Sequence, residues 1–233
     1  GNLLPKSRIS PVSLRIQDPE FMPLPNFGPA DDFVGNYRDV RARRNSSNLY
    51  SIRVDHTLGP QDSLSGRFTQ RRDNEDRYDT DLPAFFHFQH RIGRNAYISE
   101  THLFSPTVVN EARFGLSRDV SPLRGLHRGA DLVEQWGIEG LNLANKRDRT
   151  GVPQVNWLNF TDYYELNSYS WDHQTYEFLD NLTLSKGKHM IKTGVLFRYF
   201  RTHSSSSDGW PEFGTYTFDG CATGFDWADF LLG

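Results

Sequence analysis

The sequence has few of the residues that build disulfide frameworks and few long hydrophobic runs. Its 233 residues include a single cysteine, Cys221, which excludes an internal disulfide and any site built from several cysteine ligands. The mean hydropathy is -0.64, and no apolar run approaches the roughly 18 residues that a spanning helix needs. A helical membrane protein is therefore excluded. A membrane β-barrel is not, because its strands alternate polar and apolar residues.

The chain also lacks a large excess of charge of either sign. Its 26 Lys and Arg residues against 29 Asp and Glu residues give a formal net charge of -3, which predicts no general attraction to nucleic acid. The first residues, "GNLLPKSRIS", show no signal peptide, and the last, "WADFLLG", stop on an apolar run. We therefore expect an internal piece of a longer polypeptide, with any export signal upstream.

Alternation of apolar and polar residues is the main pattern present, and it begins near Leu49. Residues 1–48 carry many prolines and no sustained period, which predicts irregular chain with one short helical turn around Val12–Ile16. From Leu49, "LYSIRVDHTL" has the period of two that indicates a strand with one apolar and one polar face. Similar alternation recurs as far as residue 203 and predicts an all-β chain of about six long strands.

The spacing of these strands predicts hairpins whose connections are sorted by length. The turns within hairpins are short, at 59–62, 105–107 and 186–187, whereas the loops between hairpins are long, at 73–95 and 119–173. An antiparallel up-and-down meander then has every short turn at one edge and every long loop at the other. Outer-membrane barrels have this arrangement, and strands of about 9 to 14 residues match the length that a tilted membrane strand needs.

We therefore predict an antiparallel meander that is a partial segment of a large transmembrane β-barrel. Its parts are a Pro-rich extracellular loop segment (1–48), barrel strands in three hairpins (49–203) and a loop segment leading into the next part of the barrel (204–233). Charged side chains should face the lumen, because a charge on the lipid face costs about 2–4 kcal/mol at the midplane. The residues assigned to the lumen are Arg53, Asp55, Arg67, Glu111 and Arg113.

The apolar face of the second hairpin is assigned to lipid, with one exception to the pattern. Its lipid-facing residues are Phe104, Ala112, Phe114 and Leu116, and Ser105-Pro106-Thr107 forms the periplasmic turn. Glu100 and His102 share the register of Ile98 and Phe104. Either the strand slips register there, or this part of it lies outside the bilayer.

Five segments, taken in order, are similar to one family. They are "RISPVSLRIQDPEFMPLPN" (8–26), "YSIRVDHTLGPQDSLSGRFTQR" (50–71), "THLFSPTVVNEARFGLSRD" (101–119), "YEFLDNLTLSKGKHMIKTGVLFRYFR" (176–201) and "GTYTFDG…DWADFLLG" (214–233). Together they resemble the TonB-dependent outer-membrane receptors of the Oar-like type. The resemblance implies a barrel of about 22 strands with an N-terminal carboxypeptidase-regulatory-like domain and a plug. It implies as partners the outer-membrane lipid bilayer, the protein's own plug domain, the TonB complex and a substrate that the sequence does not identify.

Catalytic, cofactor and metal sites are not predicted. The sequence has no G-x-S-x-G elbow, no H-E-x-x-H motif and no phosphate-binding loop, so we expect no enzymatic activity. Asp172-His173 and one serine of 204–207 have the residue types of a catalytic triad, but nothing in the sequence brings them together.

A metal site is conceivable in the first long loop but is not the favoured interpretation. His87 and His90 lie three residues apart there, near Asp79 and Asp81. Histidines at this spacing in a loop are more often solvated than bound to a metal, so no metal ligand is assigned.

The second long loop is rich in aromatic residues and leaves two interpretations open. They are Trp136, Trp157, Tyr163, Tyr164, Tyr169 and Trp171. Exposed rings would stack on carbohydrate or peptide, whereas packed rings would form a cap.

The leading hypothesis is an outer-membrane barrel that binds and imports a substrate. The alternatives are a secreted or periplasmic β-sandwich that binds carbohydrate, and a surface or adhesion protein without transport.

Overall fold

Six long strands form one antiparallel sheet in the computed structural model, which describes residues 3–29, 35–78, 82–141, 151–165, 168–206 and 213–233. The six long strands are β1 (Asn45–Thr57), β2 (Asp62–Arg77), β3 (His87–Ser105), β4 (Val108–Gly125), β6 (Tyr169–Lys186) and β7 (His189–Ser206). Two short strands, β5 (Gln154–Trp157) and β8 (Thr215–Phe218), form a separate small sheet. The large sheet has the order β1-β2-β3-β4-β6-β7, so each long strand pairs with the next one along the chain. This confirms the predicted all-β up-and-down meander.

Within the described ranges, three short helices lie outside the sheet. They are α1 (Pro11–Ile16), α2 (Leu132–Trp136) and α3 (Asp226–Leu232), and a single 3₁₀ turn covers Lys6–Arg8. The helical turn predicted in the N-terminal segment is therefore confirmed, with Pro11 in the first turn, where a missing N–H costs nothing. Among the described residues, no helix is long and apolar enough to cross a membrane.

The loops are sorted as predicted, but the long ones are shorter than expected. The expected loop 73–95 is mostly strand, because β2 continues to Arg77 and β3 begins at His87. The expected loop 119–173 likewise shrinks, because β4 continues to Gly125 and β6 begins at Tyr169. The strands run on beyond the apolar band with mostly polar residues on both faces. Hydrophobic alternation ends there while the backbone ladder continues, so the sequence pattern placed the strand ends too early.

The other predicted boundaries shift for the same reason. The strand region begins at Asn45 instead of residue 49, and it ends at Ser206 instead of residue 203. The expected loop segment 204–233 contains strand β8 and helix α3. A polar run such as "NSSN" before Leu49 carries no alternation, yet it pairs with β2 from Asn45 onward.

The register around Glu100 and His102 does not slip. Glu100 pairs with Leu64 on one side and Ala112 on the other, in the same register as the rest of β3. The irregularity lies nearer the turn, between Leu103 and Ser105. Of the two explanations offered for these residues, register slippage is therefore wrong.

A hydrophobic core lies where the two ends of the chain and the long loops meet. It joins residues from five parts of the sequence: Ile16, Phe21, Leu82, Phe85, Leu132, Trp136, Val152, Val155, Trp157, Tyr163 and Phe230. Strands β5 and β8 pair in parallel inside it, and the Ser13 hydroxyl donates a hydrogen bond to the carbonyl of Phe230, 217 residues away. We call this packed unit, formed by the described residues of 3–29, 82–86, 126–165 and 213–233, the cap.

We expect Gly194→Ala to weaken the pairing of β6 with β7. A Cβ at residue 194 would lie 2.5 Å from the carbonyl oxygen of Asp180 and 3.2 Å from the Cα of Asn181. Backbone atoms cannot swing aside as a flexible side chain does, so the crowding should lower the free energy of unfolding by about 1–3 kcal/mol. Urea unfolding of the full-length protein, followed on gels that separate folded from unfolded barrels, measures this change.

Gly59→Ala is the matched control, because nothing lies within 4 Å of the Cβ position of that glycine. The two variants having the same unfolding midpoint would contradict the explanation.

Candidate membrane interface, lumenal face and cap

The outward face of the sheet is a continuous apolar surface. Directly paired residues of antiparallel strands share a face, so the register defines rows of side chains across the sheet. Two adjacent rows are Ile52, Phe68, Ala96, Leu116, Tyr176 and Tyr199, then Val54, Gly66, Ile98, Phe114, Phe178 and Phe197. Ile52 is 66% exposed and Phe197 is 63% exposed, which leaves this surface uncovered by the described residues. An apolar surface of this extent needs a nonpolar environment.

The lumenal face, which is the opposite side of the sheet, is charged and internally paired. All five residues assigned to the lumen lie on it, in rows that alternate with the apolar ones. Arg53 Nε lies 2.9 Å from Asp55 Oδ2, and Arg113 Nη2 donates to Glu111 Oε1 at 2.9 Å. The Arg113 guanidinium also lies over the ring of Tyr97, 5.2 Å from its centroid.

One ion pair of the lumenal face was not singled out from the sequence. Arg198 Nε donates to Glu177 Oε2 at 2.5 Å, and these two residues are direct partners across β6 and β7. Asp180 interrupts the alternation of β6, so the sequence pattern of that strand alone does not define its register. The turn predicted at 186–187 lies at 187–188 in the structure, so each residue of β6 pairs with a residue two positions further along β7 than the predicted turn implies.

Near the short turns the outward face becomes polar. The His102 ring is hydrogen-bonded to Asp62, and its edge meets the Phe104 ring with centroids 4.4 Å apart. On the neighbouring strands, Asn110 Nδ2 donates to the side chain of Asp180. Phe104, Ala112, Phe114 and Leu116 are on the outward face or at its edge, as predicted, and 63% of the surface of Phe104 is exposed. Most polar groups of this rim are thus satisfied locally, which lowers the cost of placing them beside an apolar band.

Comparison of the whole amino-acid sequence with known protein families identifies the family of this chain. Residues 1–233 match the family model described as an outer membrane beta barrel domain. The chain belongs to this family. The protein is therefore an outer-membrane barrel domain, and the apolar outward face is its contact with the lipid bilayer. No curated protein and no solved structure matches the chain.

The β-sandwich alternative is wrong for this barrel domain. The six long strands form a single layer, and the small sheet of β5 and β8 lies in the cap instead of covering the apolar face. A sandwich buries one face of each sheet against the other. Here the apolar face carries the exposed residues, which is the arrangement of a membrane barrel.

The cap buries half of the aromatic residues of the second long loop. Trp136, Trp157 and Tyr163 are buried, with the Tyr163 ring centroid 5.1 Å from Phe85 and 5.3 Å from Trp157. These three rings are therefore unavailable for stacking on a ligand. Tyr169 and Trp171 belong to strand β6 instead of the loop, with their centroids 5.5 Å apart.

The cap is joined to the long-loop ends of β3 and β4. The N–H of Leu126 donates to the carbonyl of Phe86 at 3.0 Å, and the N–H of His127 donates to Glu165 Oε1 at 3.1 Å. A Cβ on Gly125, which lies on the lumenal face opposite His87, would collide with the side chain of Glu165. Glu165 therefore lies on the lumenal side of the sheet at its long-loop edge.

A cavity of about 430 Å³ lies in the cap between α1, α3 and the small sheet. Its apolar lining includes Val12, Ile16, Ile138 and Phe218, with Tyr216 as a polar member. Burial raises the pKa of Tyr216, which keeps its hydroxyl protonated. The volume is large enough for a small ligand.

The two histidines considered as metal ligands, His87 and His90, lie on opposite faces of the sheet. His87 is buried on the lumenal face, whereas His90 lies on the outward face with its Nδ1 2.8 Å from Asn74 Oδ1. Asp79 and Asp81 lie outside the described residues. Within the described residues no group of three or more His, Cys, Asp or Glu side chains is placed to hold a metal ion.

The triad residues are likewise separated by the pleat of β6. Asp172 lies on the outward face and binds Arg118, with Nη2 and Oδ2 2.6 Å apart. The next residue, His173, lies on the lumenal face with Nδ1 3.1 Å from Thr202 Oγ1. The carboxylate therefore cannot orient the imidazole. Ser207 lies outside the described residues.

We expect a charge at the centre of the outward face to impair assembly of the barrel domain. Phe197→Arg places a guanidinium in the apolar rows and should cost about 2–4 kcal/mol if residue 197 lies near the midplane. Leu196→Arg is the matched control, because residue 196 is on the lumenal face of the same strand. The measurement is the folded fraction of the full-length protein in isolated outer membranes. If both variants lost the same folded fraction, the assignment of the two faces would be contradicted.

We expect Tyr163→Ala to loosen the cap without unfolding the barrel strands. The buried ring packs between Phe85 and Trp157, and its loss should cost about 3–5 kcal/mol. Tyr163→Phe removes only the hydroxyl, which donates to the carbonyl of Ile16 at 3.3 Å, and should cost about 1 kcal/mol. Protease cleavage within 126–165 of the assembled protein should rise for the alanine variant and change little for the phenylalanine variant. Cleavage within β6 or β7 instead would contradict a separately packed cap.

Proposed function

We propose that this barrel domain is part of an Oar-like, TonB-dependent receptor that binds a substrate and imports it across the outer membrane. The observation that carries the proposal is the lumenal face, whose charged side chains form ion pairs with one another. The edge strands β1 and β7 each have one partner strand among the described residues, as expected of part of a wider barrel. A wide barrel has a polar interior that contacts solute or a plug, whereas a small barrel is filled by its own side chains. The five ordered segments that resemble Oar-like receptors support the same function.

The sidedness of the barrel follows from the sorting of its loops. Barrels of this kind have short periplasmic turns and long extracellular loops. The turns after β1, β3 and β6 therefore face the periplasm, and the cap faces the cell exterior. In this orientation the cap stands over the lumen where a substrate would enter, and its cavity is the candidate first contact.

The paired charges of the lumenal face suit contact with a plug. Arg53 with Asp55 and Glu177 with Arg198 present both signs of charge within each pair. Such pairs remain partly satisfied when a plug moves away, because each arginine keeps its own carboxylate. A wall of unpaired arginines would instead attract any anion and hold it.

We propose in addition that the domain has no catalytic activity of its own. The chemistry visible on it is recognition by charge and shape, since the triad residues are separated by the strand pleat. Import would then depend on energy supplied from outside the domain.

Binding to TonB tests the proposal. The full-length protein, purified in detergent, should form a saturable complex with the periplasmic domain of TonB from the same cell. Deleting the segment that precedes the plug should abolish that complex, because the coupling motif of such receptors lies there. Absence of a complex, together with an upstream sequence that encodes no plug, would overturn TonB-dependent transport.

A surface or adhesion role without transport is the second candidate, and the cap favours it. The cap is a packed unit with its own core, as expected of an externally displayed binding module. Deleting the gene would then reduce attachment of cells to surfaces, whereas deleting the gene for TonB would leave attachment unchanged.

A further inference from the structure

The outward face carries a belt of arginine residues next to the apolar rows on the long-loop side. One row holds Gln70, Arg94, Arg118, Gln174 and Arg201, and the next holds Arg72, Ile92, Val120, Asp172 and His203. These two rows contain four arginines against one aspartate. Toward the short turns, the charged residues nearest to the same apolar rows are acidic, Glu100 and Asp180.

Two tyrosines place this belt at the edge of the bilayer. Tyr176 and Tyr199 lie in the apolar row directly beside the belt, with ring centroids 6.2 Å apart. Tyrosine is enriched at the level of the lipid head groups, where its ring is apolar and its hydroxyl reaches water. The Tyr176 hydroxyl donates to Gln174 Oε1, in the belt, at 3.2 Å. The arginines therefore lie at head-group level.

Three of the four guanidinium groups are available to a ligand. Arg118 is neutralised by Asp172, with Nη2 and Oδ2 2.6 Å apart. Among the described residues, Arg94 donates only through its Nε, to Gln70 Oε1 at 2.9 Å, which leaves its terminal amino groups for a ligand. Arg72 and Arg201 are exposed and form no hydrogen bond or ion pair with any residue that the structure describes. An unpaired guanidinium in this setting presents a planar fork of donors that matches a phosphate.

We propose that Arg72, Arg94 and Arg201 bind phosphate groups of membrane lipids on the long-loop side of the bilayer. A lipid suits this site better than a free phosphate, because the rows of Leu116 and Phe114 beside it offer contact to acyl chains. Arginine near a membrane surface is attracted to anionic lipid. The inference rests on the outward face and, for the choice of lipid A, on the extracellular position of the long loops proposed above, so it holds whether or not the barrel transports a substrate.

Lipid binding to the full-length protein in a neutral detergent tests the proposal. Native mass spectrometry counts bound lipid as diphosphoryl lipid A is titrated, with monophosphoryl lipid A and inorganic phosphate as separate arms. The test variant is Arg72→Gln, Arg94→Gln and Arg201→Gln together. The matched control is Arg71→Gln, Arg91→Gln and Arg198→Gln, which removes three arginines from the lumenal face of the same strands.

We expect the outward variant to bind diphosphoryl lipid A about 10- to 100-fold more weakly than the unmodified protein, and the lumenal variant to bind it equally well. The unmodified protein should prefer the diphosphoryl to the monophosphoryl form. Equal binding by both variants would overturn the proposal, as would competition by inorganic phosphate at the lipid's own concentration. If the triple variant does not fold, Arg201→Gln against Arg198→Gln gives the same comparison on β7 with a smaller difference.

Discussion

The two-residue pleat of the long strands is the constraint on which this structure depends. Because successive side chains point to opposite faces, one strand can contact lipid with Phe197 and the lumen with Leu196 and Arg198. In hydrocarbon, every backbone N–H and C=O must also be paired within the protein, which requires strands without interruption. The register of the meander satisfies both demands together, since the central rows of the outward face are apolar and the rows between them carry the charges of the lumenal face.

The same constraint explains where polar groups on the outward face are placed. At the short-turn rim, His102 pairs with Asp62 and Asn110 pairs with Asp180, so these groups keep partners after losing water. At the long-loop rim, Arg72 and Arg201 have no ion-pair partner among the described residues, which fits the lipid phosphate contacts proposed for them. Glu100 is the remaining exposed acid of this face, and its position near the short turns keeps it close to the other interface.

The sequence alone was enough to predict the class of fold and the faces of the strands. Alternation in "LYSIRVDHTL" is a local signal, and it identified the lumenal positions of Arg53 and Asp55. The strand ends were placed too early, because beyond the apolar band both faces are mostly polar and regular alternation is lost. The pairing of Glu177 with Arg198 was missed because Asp180 interrupts the pattern of its own strand.

The cap could not be predicted from the sequence, for a reason of distance. Its core joins Ile16, Tyr163 and Phe230, and no local period relates residues so far apart. Each piece is short, and helices of five to seven residues such as α2 and α3 are marginal without tertiary packing. The aromatic residues of the second long loop were recognisable as a group, but the sequence does not distinguish an exposed ring from a buried one.

Packing of the cap depends in turn on the sheet that supports it. The segments that build it are held at the long-loop edge by the hydrogen bonds of Leu126 and His127 and by the contact of Glu165 with Gly125. Anchoring the ends of a loop lowers the conformational entropy that its folding must overcome. A small core with Tyr163 at its centre then suffices to order a loop that would be too polar to collapse alone. The meander is therefore the scaffold that holds the cap, a unit with its own core, at the long-loop edge.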